Sequence, residues 1–236
     1  MKPELIWVHG WALGPGLWRR VLRLLPGFNN QLVDLGFFSR GTPLVAPTTP
    51  WVGIGHSLGF LWLLEQCQRG TLPMERCLGL VSINGFARFS RAPDLASAVH
   101  PRILRAMAAR CRDEPEALLQ DFRQKAGMPA DLGPVPLVGL DRERLLEGLR
   151  WLEGWDRRAW LARWDRPLLV LAGGADAIVS ADHTRALFAD HPVADRHWLA
   201  AGGHMLPLTH PAWCGEHLRV FLERGLASSG MEAGAG

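Results

Sequence analysis

The chain reads Val-Gly-Ile-Gly-His-Ser-Leu-Gly-Phe over residues 52–60, where one hydrophobic pattern gives way to another. The apolar residues on the N-terminal side of this stretch suit a short buried strand, and those on its C-terminal side recur at helical spacing to about Gln68. Ser57 therefore lies on a tight turn from strand to helix, with a glycine two positions away on each side. A G-x-S-x-G turn of this kind holds its serine in a strained backbone conformation that exposes the hydroxyl above the sheet. The stretch predicts a nucleophilic serine.

Strand and helix patterns alternate along most of the chain. Strands are predicted over residues 5–8, 31–36, 51–54, 77–85, 167–174 and 196–199, and helices over residues 17–25, 58–68, 184–189 and 211–224. Strands separated by helices pair in parallel, because the helix carries the chain back to the same end of the sheet. The sequence therefore predicts an α/β fold with a mostly parallel sheet flanked by helices.

The region from residue 86 to residue 165 differs from the rest, because it is rich in arginine and its apolar residues recur only at helical spacing. Helices are predicted there over residues 100–112, 115–126, 141–152 and 157–162. We therefore expect a helical cap, residues 86–165, inserted into a core formed by residues 1–85 and 166–226. Residues 227–236 are mostly small, and we expect this tail to be disordered.

The composition argues against several other classes of protein. At 236 residues, of which 48% are hydrophobic, the chain is long and apolar enough for a substantial core. Its net charge of +3 comes from nearly balanced acids and bases without a long basic run, which argues against a nucleic-acid partner. Neither a signal-peptide pattern nor an apolar run of about 18 residues is present, so we expect no membrane span and a cytoplasmic location. The four cysteines lack C-x-x-C spacing, so neither a zinc site nor a disulfide framework is expected.

A catalytic serine needs a histidine to accept its proton and an acid to orient that histidine. Asp176 follows the predicted strand at 167–174, and His204 follows a Gly-Gly pair after the last predicted strand. The chain order Ser, Asp, His, with both partners on loops after strands, is the order that this type of fold uses. Asp182 and Asp165 are rival acids, but one enters a helix and the other precedes a strand. We therefore predict Ser57, Asp176 and His204 as the catalytic residues.

The negative charge that develops on the ester oxygen needs two hydrogen-bond donors. The main-chain N–H of Leu58 lies at a predicted helix N-terminus, where donors are unpaired. The second donor is predicted to be the main-chain N–H of Trp11, in the loop after the first strand. Trp11, Phe86 and Phe122 are also predicted to contact the substrate.

Together these motifs resemble the α/β-hydrolase superfamily over nearly the whole chain. They are His9-Gly10-Trp11, Gly55-His56-Ser57-Leu58-Gly59, the Gly-x-x-Asp that ends at Asp176, and Gly203-His204. Within the superfamily, the HGW start, the short chain, the helical cap and Leu58 after the nucleophile resemble the pimeloyl-ACP methyl ester carboxylesterases of biotin synthesis.

The resemblance implies an α/β-hydrolase fold and a serine carboxylic-ester hydrolase that works through an acyl-enzyme without metal or cofactor. It also implies a channel for a dicarboxylate methyl ester and a cap whose arginines meet the acyl carrier protein. The residues predicted to meet the carrier protein lie on one face of the first cap helix: Arg102, Arg105 and Arg112.

The sequence departs from the family pattern in one place. Residues 34–38 read Asp-Leu-Gly-Phe-Phe instead of the usual D-x-x-G-x-G-x-S run, and residues 37–50 are too few and too rich in proline for the helix commonly found there. We therefore expect a more open binding pocket.

Several alternatives stay open at the level of sequence. The same three residues serve thioesterases, acyltransferases and lyases, and a pocket of this kind can also bind a small molecule without turning it over. The cap arginines are also consistent with an ordinary solvated surface, because basic residues exceed acidic ones only slightly there.

Overall fold

The computed structural model describes residues 2–132 and 138–228, and its centre is a parallel sheet. The strands are β1 (Glu4–Val8), β2 (Asn29–Val33), β3 (Trp51–His56), β4 (Cys77–Ile83), β5 (Leu168–Gly173) and β6 (Ala194–Leu199). They lie in the order β2-β1-β3-β4-β5-β6, and every neighbouring pair is parallel. The predicted α/β class and parallel sheet are confirmed.

Both faces of the sheet are covered. In β1 the side chains alternate, so that Leu5 and Trp7 pack into one buried cluster while Ile6 and Val8 pack into another. All four are fully buried, as expected for a parallel strand with helices on both sides.

The helices outside the region 86–165 cover the sheet. They are α1 (Arg19–Leu22), α2 (Leu58–Gln68), α7 (Ala181–Phe188), α8 (Leu206–Thr209) and α9 (Pro211–Ser228). The prediction of one helix over 17–25 is wrong: a 3-10 turn, Pro15–Trp18, precedes the short α1. Trp18 packs against Trp7 with ring centroids 5.0 Å apart, so tertiary packing sets this segment. The last helix continues to Ser228, and the rest of the tail predicted to be disordered, residues 229–236, lies outside the described residues.

The described residues between 86 and 165 form four α-helices, as the pattern predicts. They are α3 (Pro101–Asp113), α4 (Pro115–Lys125), α5 (Arg142–Gly154) and α6 (Arg158–Leu161). Asp141 caps α5, because its carboxylate accepts a hydrogen bond from the main-chain N–H of Arg144, and Pro115 occupies the first turn of α4. Helix α3 packs against both α4 and α5. Within residues 2–132 and 138–228, none of the helices is long and apolar enough to cross a membrane.

The connection from β2 to β3 is described throughout and contains no helix, as its prolines and length predict. It begins with a turn in which the Asp34 carboxylate accepts a hydrogen bond from the main-chain N–H of Gly36, whose φ is +83°. This turn ends β2 earlier than the predicted strand at 31–36. The strand instead extends towards Asn29, because that residue pairs with Glu4 of β1.

Candidate active site

The turn at Ser57 has the strained geometry that its flanking glycines predict. Ser57 has φ 53° and ψ −123°, a conformation that L-residues rarely adopt. A Cβ atom on Gly59 would lie 2.0 Å from the carbonyl oxygen of Val8, and one on Gly55 would lie 2.4 Å from the main-chain nitrogen of Phe60. The two glycines therefore allow α2 to pack directly against β1 and β3. This close packing fixes the serine at the carboxyl end of the sheet.

The structure brings Ser57, His204 and Asp176 into one chain of hydrogen bonds. His204 Nε2 lies 3.1 Å from Ser57 Oγ, and His204 Nδ1 lies 2.7 Å from Asp176 Oδ2. Asp176 Oδ1 accepts hydrogen bonds from the main-chain N–H groups of Ile178 at 2.7 Å and Val179 at 2.9 Å. Because a carboxylate only accepts, Nδ1 carries the proton and leaves Nε2 free to accept the serine proton. The arrangement has the geometry of a nucleophile, a base and an orienting acid.

The rival acids lie elsewhere. The side chain of Asp182 is 81% exposed and pairs with Arg185 at 2.9 Å. Asp165 is exposed just before β5. The structure thus brings only Asp176, of the three acids considered, to His204.

The two predicted oxyanion donors flank the serine. In the described part of the chain, neither the main-chain N–H of Trp11 nor that of Leu58 has an acceptor within the protein. Trp11 is held in place because its indole Nε1 donates a hydrogen bond to the carbonyl of Leu145 at 2.9 Å, and its ring meets Phe122 edge-on at 4.9 Å. Both N–H groups are therefore available to a developing oxyanion.

A buried histidine fixes the loop that carries Trp11. His9 Nε2 lies 3.0 Å from the main-chain nitrogen of Leu35 and 3.3 Å from Asp34 Oδ1, and His9 Nδ1 lies 2.9 Å from the carbonyl oxygen of Gly10. The neighbouring Asp34 is partly buried, which would raise the pKa of its carboxyl group. Hydrogen bonds from His9, the main-chain N–H of Gly36 and Ser39 outweigh burial and lower this pKa to about 2.

Ser57 opens onto an apolar cavity with a volume of about 260 Å³. Phe122 and Trp11 line it, as predicted, whereas Phe86 does not line it. Phe86 is fully buried and packs against Phe89, with ring centroids 4.7 Å apart. Phe89 lines the cavity instead, and the sequence analysis missed it although it lies in the same loop. The other apolar lining residues, which no sequence pattern indicated, are Val99, Ile103, Leu104, Met107, Leu118, Leu152, Ala177 and Ile178.

The charged residues of the cavity lie where it meets solvent. Lys125 and Asp121 are exposed, and the guanidinium of Arg110 donates a hydrogen bond to the Asp121 carboxylate at 2.8 Å. Ser57, by contrast, is only 6% exposed. The cavity is therefore apolar around the serine and charged at its mouth.

The three arginines predicted to meet a partner are exposed on α3. Arg105 Nε donates to the carboxylate of Glu153 at 2.8 Å, so its charge is partly compensated. Arg112 bonds the carbonyl of Ala108 at 3.3 Å, within its own helix. Arg102 is placed in the first turn of the same helix. The structure thus keeps the three side chains on one exposed helix.

Known proteins similar to this chain cover nearly its whole length. A pimeloyl-[acyl-carrier protein] methyl ester esterase from Xanthomonas axonopodis pv. citri is 32% identical in an alignment 244 residues long, gaps included, that covers 93% of this chain and 95% of that protein. Another, from Stenotrophomonas maltophilia, is 33% identical in an alignment 232 residues long that covers 88% of each chain. An esterase structure from Exiguobacterium antarcticum shares the fold with a TM-score of 0.82 at 14% identity, over 94% of this chain and 92% of that one. No protein-family model matches the chain. On this similarity, the chain is a carboxylic-ester hydrolase of α/β-hydrolase fold and belongs to the family of the pimeloyl-[acyl-carrier protein] methyl ester esterases.

Proposed function

We propose that the protein hydrolyses the methyl ester of a pimeloyl chain carried on acyl carrier protein, as a step in biotin synthesis. The observation that carries this proposal is the hydrogen-bonded series Asp176, His204, Ser57 at the buried end of an apolar cavity. The names of the relatives supply the substrate. The cytoplasmic location expected from the sequence stays a prediction.

In this reaction Ser57 Oγ attacks the ester carbonyl carbon while His204 Nε2 accepts the serine proton. The main-chain N–H groups of Trp11 and Leu58 stabilise the oxyanion. When the tetrahedral intermediate collapses, the bond to the methoxy oxygen breaks and His204 returns the proton, so methanol leaves. Water then attacks the acyl-serine with His204 again acting as base, which releases the carboxylic acid and restores Ser57. Asp176 stabilises the imidazolium in both steps.

The apolar cavity suits an ester whose acyl chain consists of methylene groups. Phe89, Met107 and Ile178 offer it apolar surface, and burial of such groups is favourable by about 25 cal/mol per Å². The methyl ester is neutral, whereas the product is a carboxylate, which the apolar walls of the cavity solvate far less well than water does. Hydrolysis therefore converts a group that the cavity accommodates into one that it disfavours, which promotes product release.

We propose further that residues 86–165 act as a cap on which the carrier protein docks. Arg102, Arg105 and Arg112 project from α3, and α3 also contributes Ile103, Leu104 and Met107 to the cavity. A carrier protein held by the exposed arginines would thus lie on a helix that also forms a wall of the cavity. Attraction between the basic helix and an acidic partner raises the rate of encounter and weakens with salt.

The test compares a carrier-bound substrate with a small neutral ester. We expect Arg102→Glu/Arg105→Glu to raise KM for pimeloyl-carrier methyl ester several-fold, and more at low ionic strength, while kcat/KM for p-nitrophenyl butyrate stays within about twofold. The matched control is Arg219→Glu/Arg224→Glu on α9, which packs against α1 and α8. This control should leave both substrates unaffected.

The products decide between the esterase and a thioesterase. Release of methanol with the chain still attached to the carrier supports the proposal, whereas release of the free carrier thiol would refute it. Equal losses on both substrates in the α3 variant would contradict a docking role, since damage to the cap would explain them.

A further inference from the structure

The main-chain carbonyl of His204 accepts two side-chain hydrogen bonds. His56 Nε2 lies 2.8 Å from this oxygen, and Asn84 Nδ2 lies 2.8 Å from it. Asn84 Nδ2 also reaches the carbonyl of Gly203 at 3.0 Å. Asn84 and His56 are 2% and 0% exposed. Two buried donors thus converge on the backbone of the residue that transfers the proton.

The roles of the donor atoms follow from their partners. The main-chain N–H of Gly173 donates to Asn84 Oδ1 at 2.8 Å, so the amide oxygen faces β5 and the NH₂ group faces the His204 loop. The carbonyl oxygen can only accept, so His56 Nε2 must carry a proton. Burial, and to a lesser degree the nearby His204, lower the pKa of His56 well below its ordinary value. His56 therefore stays neutral and keeps one fixed tautomer while His204 changes its charge.

The backbone around Asn84 indicates that this side chain is specifically placed. Asn84 directly follows β4 and has φ +47°, a left-handed conformation that asparagine adopts more readily than most residues. Its main-chain N–H donates to the carbonyl of Leu171 at 2.8 Å. The residue therefore joins the ends of β4 and β5 to the loop after β6.

That loop needs a support beyond Gly202. Gly202 is held by its N–H, which donates to the carbonyl of Leu199, and by its carbonyl, which accepts from the N–H of Ala175, both at 2.9 Å. A Cβ atom on Gly203, the next residue, would meet nothing within 4 Å. Glycines give the backbone conformational freedom, and the contacts of the imidazole ring with Ser57 and Asp176 act only on the side chain. The bonds to the His204 carbonyl fix the position of the main chain itself.

We infer that Asn84 and His56 are positioning residues that hold His204 between Ser57 and Asp176 through its main-chain carbonyl. This inference rests on the proposed function, because it assigns a role in the same reaction. The Asn84 NH₂ group contacts main-chain carbonyls of this loop, whereas the His56 ring also packs against the His204 imidazole, with ring centroids 4.8 Å apart. Their loss should lower kcat with little effect on KM, because a displacement of about 1 Å from the reactive geometry can cost roughly 100-fold in rate.

The experiment uses variants that remove the donors. Asn84→Asp retains the shape, the left-handed conformation and the acceptor for Gly173, but its ionised carboxylate has no proton to donate and repels the two carbonyl oxygens. We expect kcat for p-nitrophenyl butyrate to fall roughly 10- to 100-fold while KM stays within about twofold. His56→Leu should act in the same way, and His56→Gln, which restores an N–H donor, should recover most of the loss.

The matched control is His191→Leu. His191 is also buried, and its Nε2 donates to a carbonyl, that of Leu161, at 2.8 Å, outside the active site. We expect this variant to lose thermal stability but to keep kcat. A second readout is the low-field proton NMR signal of His204 Nδ1–H, assigned by its loss in Asp176→Ala. It should broaden in His56→Leu and stay sharp in the control.

Ser57→Ala, measured beside these variants, separates the two possible failures. If it is inactive while His56→Leu and His191→Leu both keep kcat, the positioning role is refuted and the proposed function stands. If Ser57→Ala retains turnover, the proposed function and the positioning role both fall. Should Asn84→Asp fail to fold, the comparison of His56→Leu with His56→Gln decides: equal activity of the two refutes the inference.

Discussion

A glycine inside a cap helix sets how closely that helix approaches the predicted oxyanion loop. Gly148 lies in the middle of α5, where glycine costs about 1 kcal/mol relative to alanine. A Cβ atom there would lie 2.7 Å from Trp11 Cδ1 and 3.1 Å from Phe37 Cε1. Ordinary contact begins at 3.4 Å, so Gly148→Ala requires a shift of about 0.7 Å between α5 and Trp11.

Two opposing effects determine the stability of Gly148→Ala. Alanine favours the helix by about 1 kcal/mol, whereas overpacking a close-packed core costs about 1–3 kcal/mol. The net free energy of unfolding should therefore fall by about 0–2 kcal/mol, a decrease in Tm of up to about 8 °C for a chain of this size. Because Trp11 is tethered to Leu145 of the same helix, the shift should also move its main-chain N–H and lower kcat by roughly 10- to 100-fold.

Gly154→Ala is the matched control for Gly148→Ala. Gly154 is the last residue of α5, and a Cβ atom there would meet nothing within 4 Å. Gly154→Ala should keep full activity. Its free energy of unfolding should rise by less than about 1 kcal/mol, because alanine stabilises the end of a helix less than its centre. The difference in Tm between the two variants then isolates the clash, and circular dichroism with p-nitrophenyl butyrate assays measures both effects. Equal Tm and equal kcat in the two variants would refute a tight contact between α5 and Trp11.

Three further predictions concern the core of the molecule. Asp176→Asn should lower kcat by roughly 10³- to 10⁴-fold, whereas Asp182→Asn should change it by less than about twofold, and the reverse order would contradict the assignment of the acid. Gly59→Ala should not yield folded protein, because its Cβ would lie 2.0 Å from the Val8 carbonyl oxygen; a soluble variant with wild-type circular dichroism would disprove the need for this close approach. Folding lowers the carboxyl pKa of Asp34 from 3.8 to about 2, so the ionised carboxylate should add about 2 kcal/mol to the free energy of unfolding. This contribution is present above pH 3.8 and is lost as the pH falls towards 2. Urea unfolding of wild type and Asp34→Asn at pH 2 to 6 measures this contribution, and parallel pH curves for the two proteins would count against it.

The order of strands and helices could be predicted because it depends on local patterns. The buried strands are runs of apolar residues, and proline, glycine and a capping aspartate mark the helix ends, so α2, α4 and α5 lie within two residues of their predicted bounds. The errors occur where tertiary contacts outweigh local preference. Pairing with β1 draws β2 towards Asn29, and packing of Trp18 on Trp7 divides the predicted first helix.

The residues that line the cavity were harder to predict than the residues around the nucleophile. Phe86 and Phe89 occupy the same loop after β4, and no periodicity indicates which of them turns towards the serine. The structure turns Phe89 into the cavity and packs Phe86 behind it against His183. Side-chain direction in a loop depends on the neighbours that surround it, and those neighbours come from distant parts of the chain.

Local patterns were enough to predict the parallel α/β class and to select Ser57, Asp176 and His204 as candidates, because each follows a strand in a turn with its own local signature. The contact of Trp11 with α5 beside Gly148, and the hydrogen bond from Asn84 to the carbonyl of His204, depend instead on how distant segments pack. These contacts join residues more than a hundred positions apart in the chain. Local patterns cannot specify them, because they arise only when the sheet brings the ends of its strands together and the helices close over that edge.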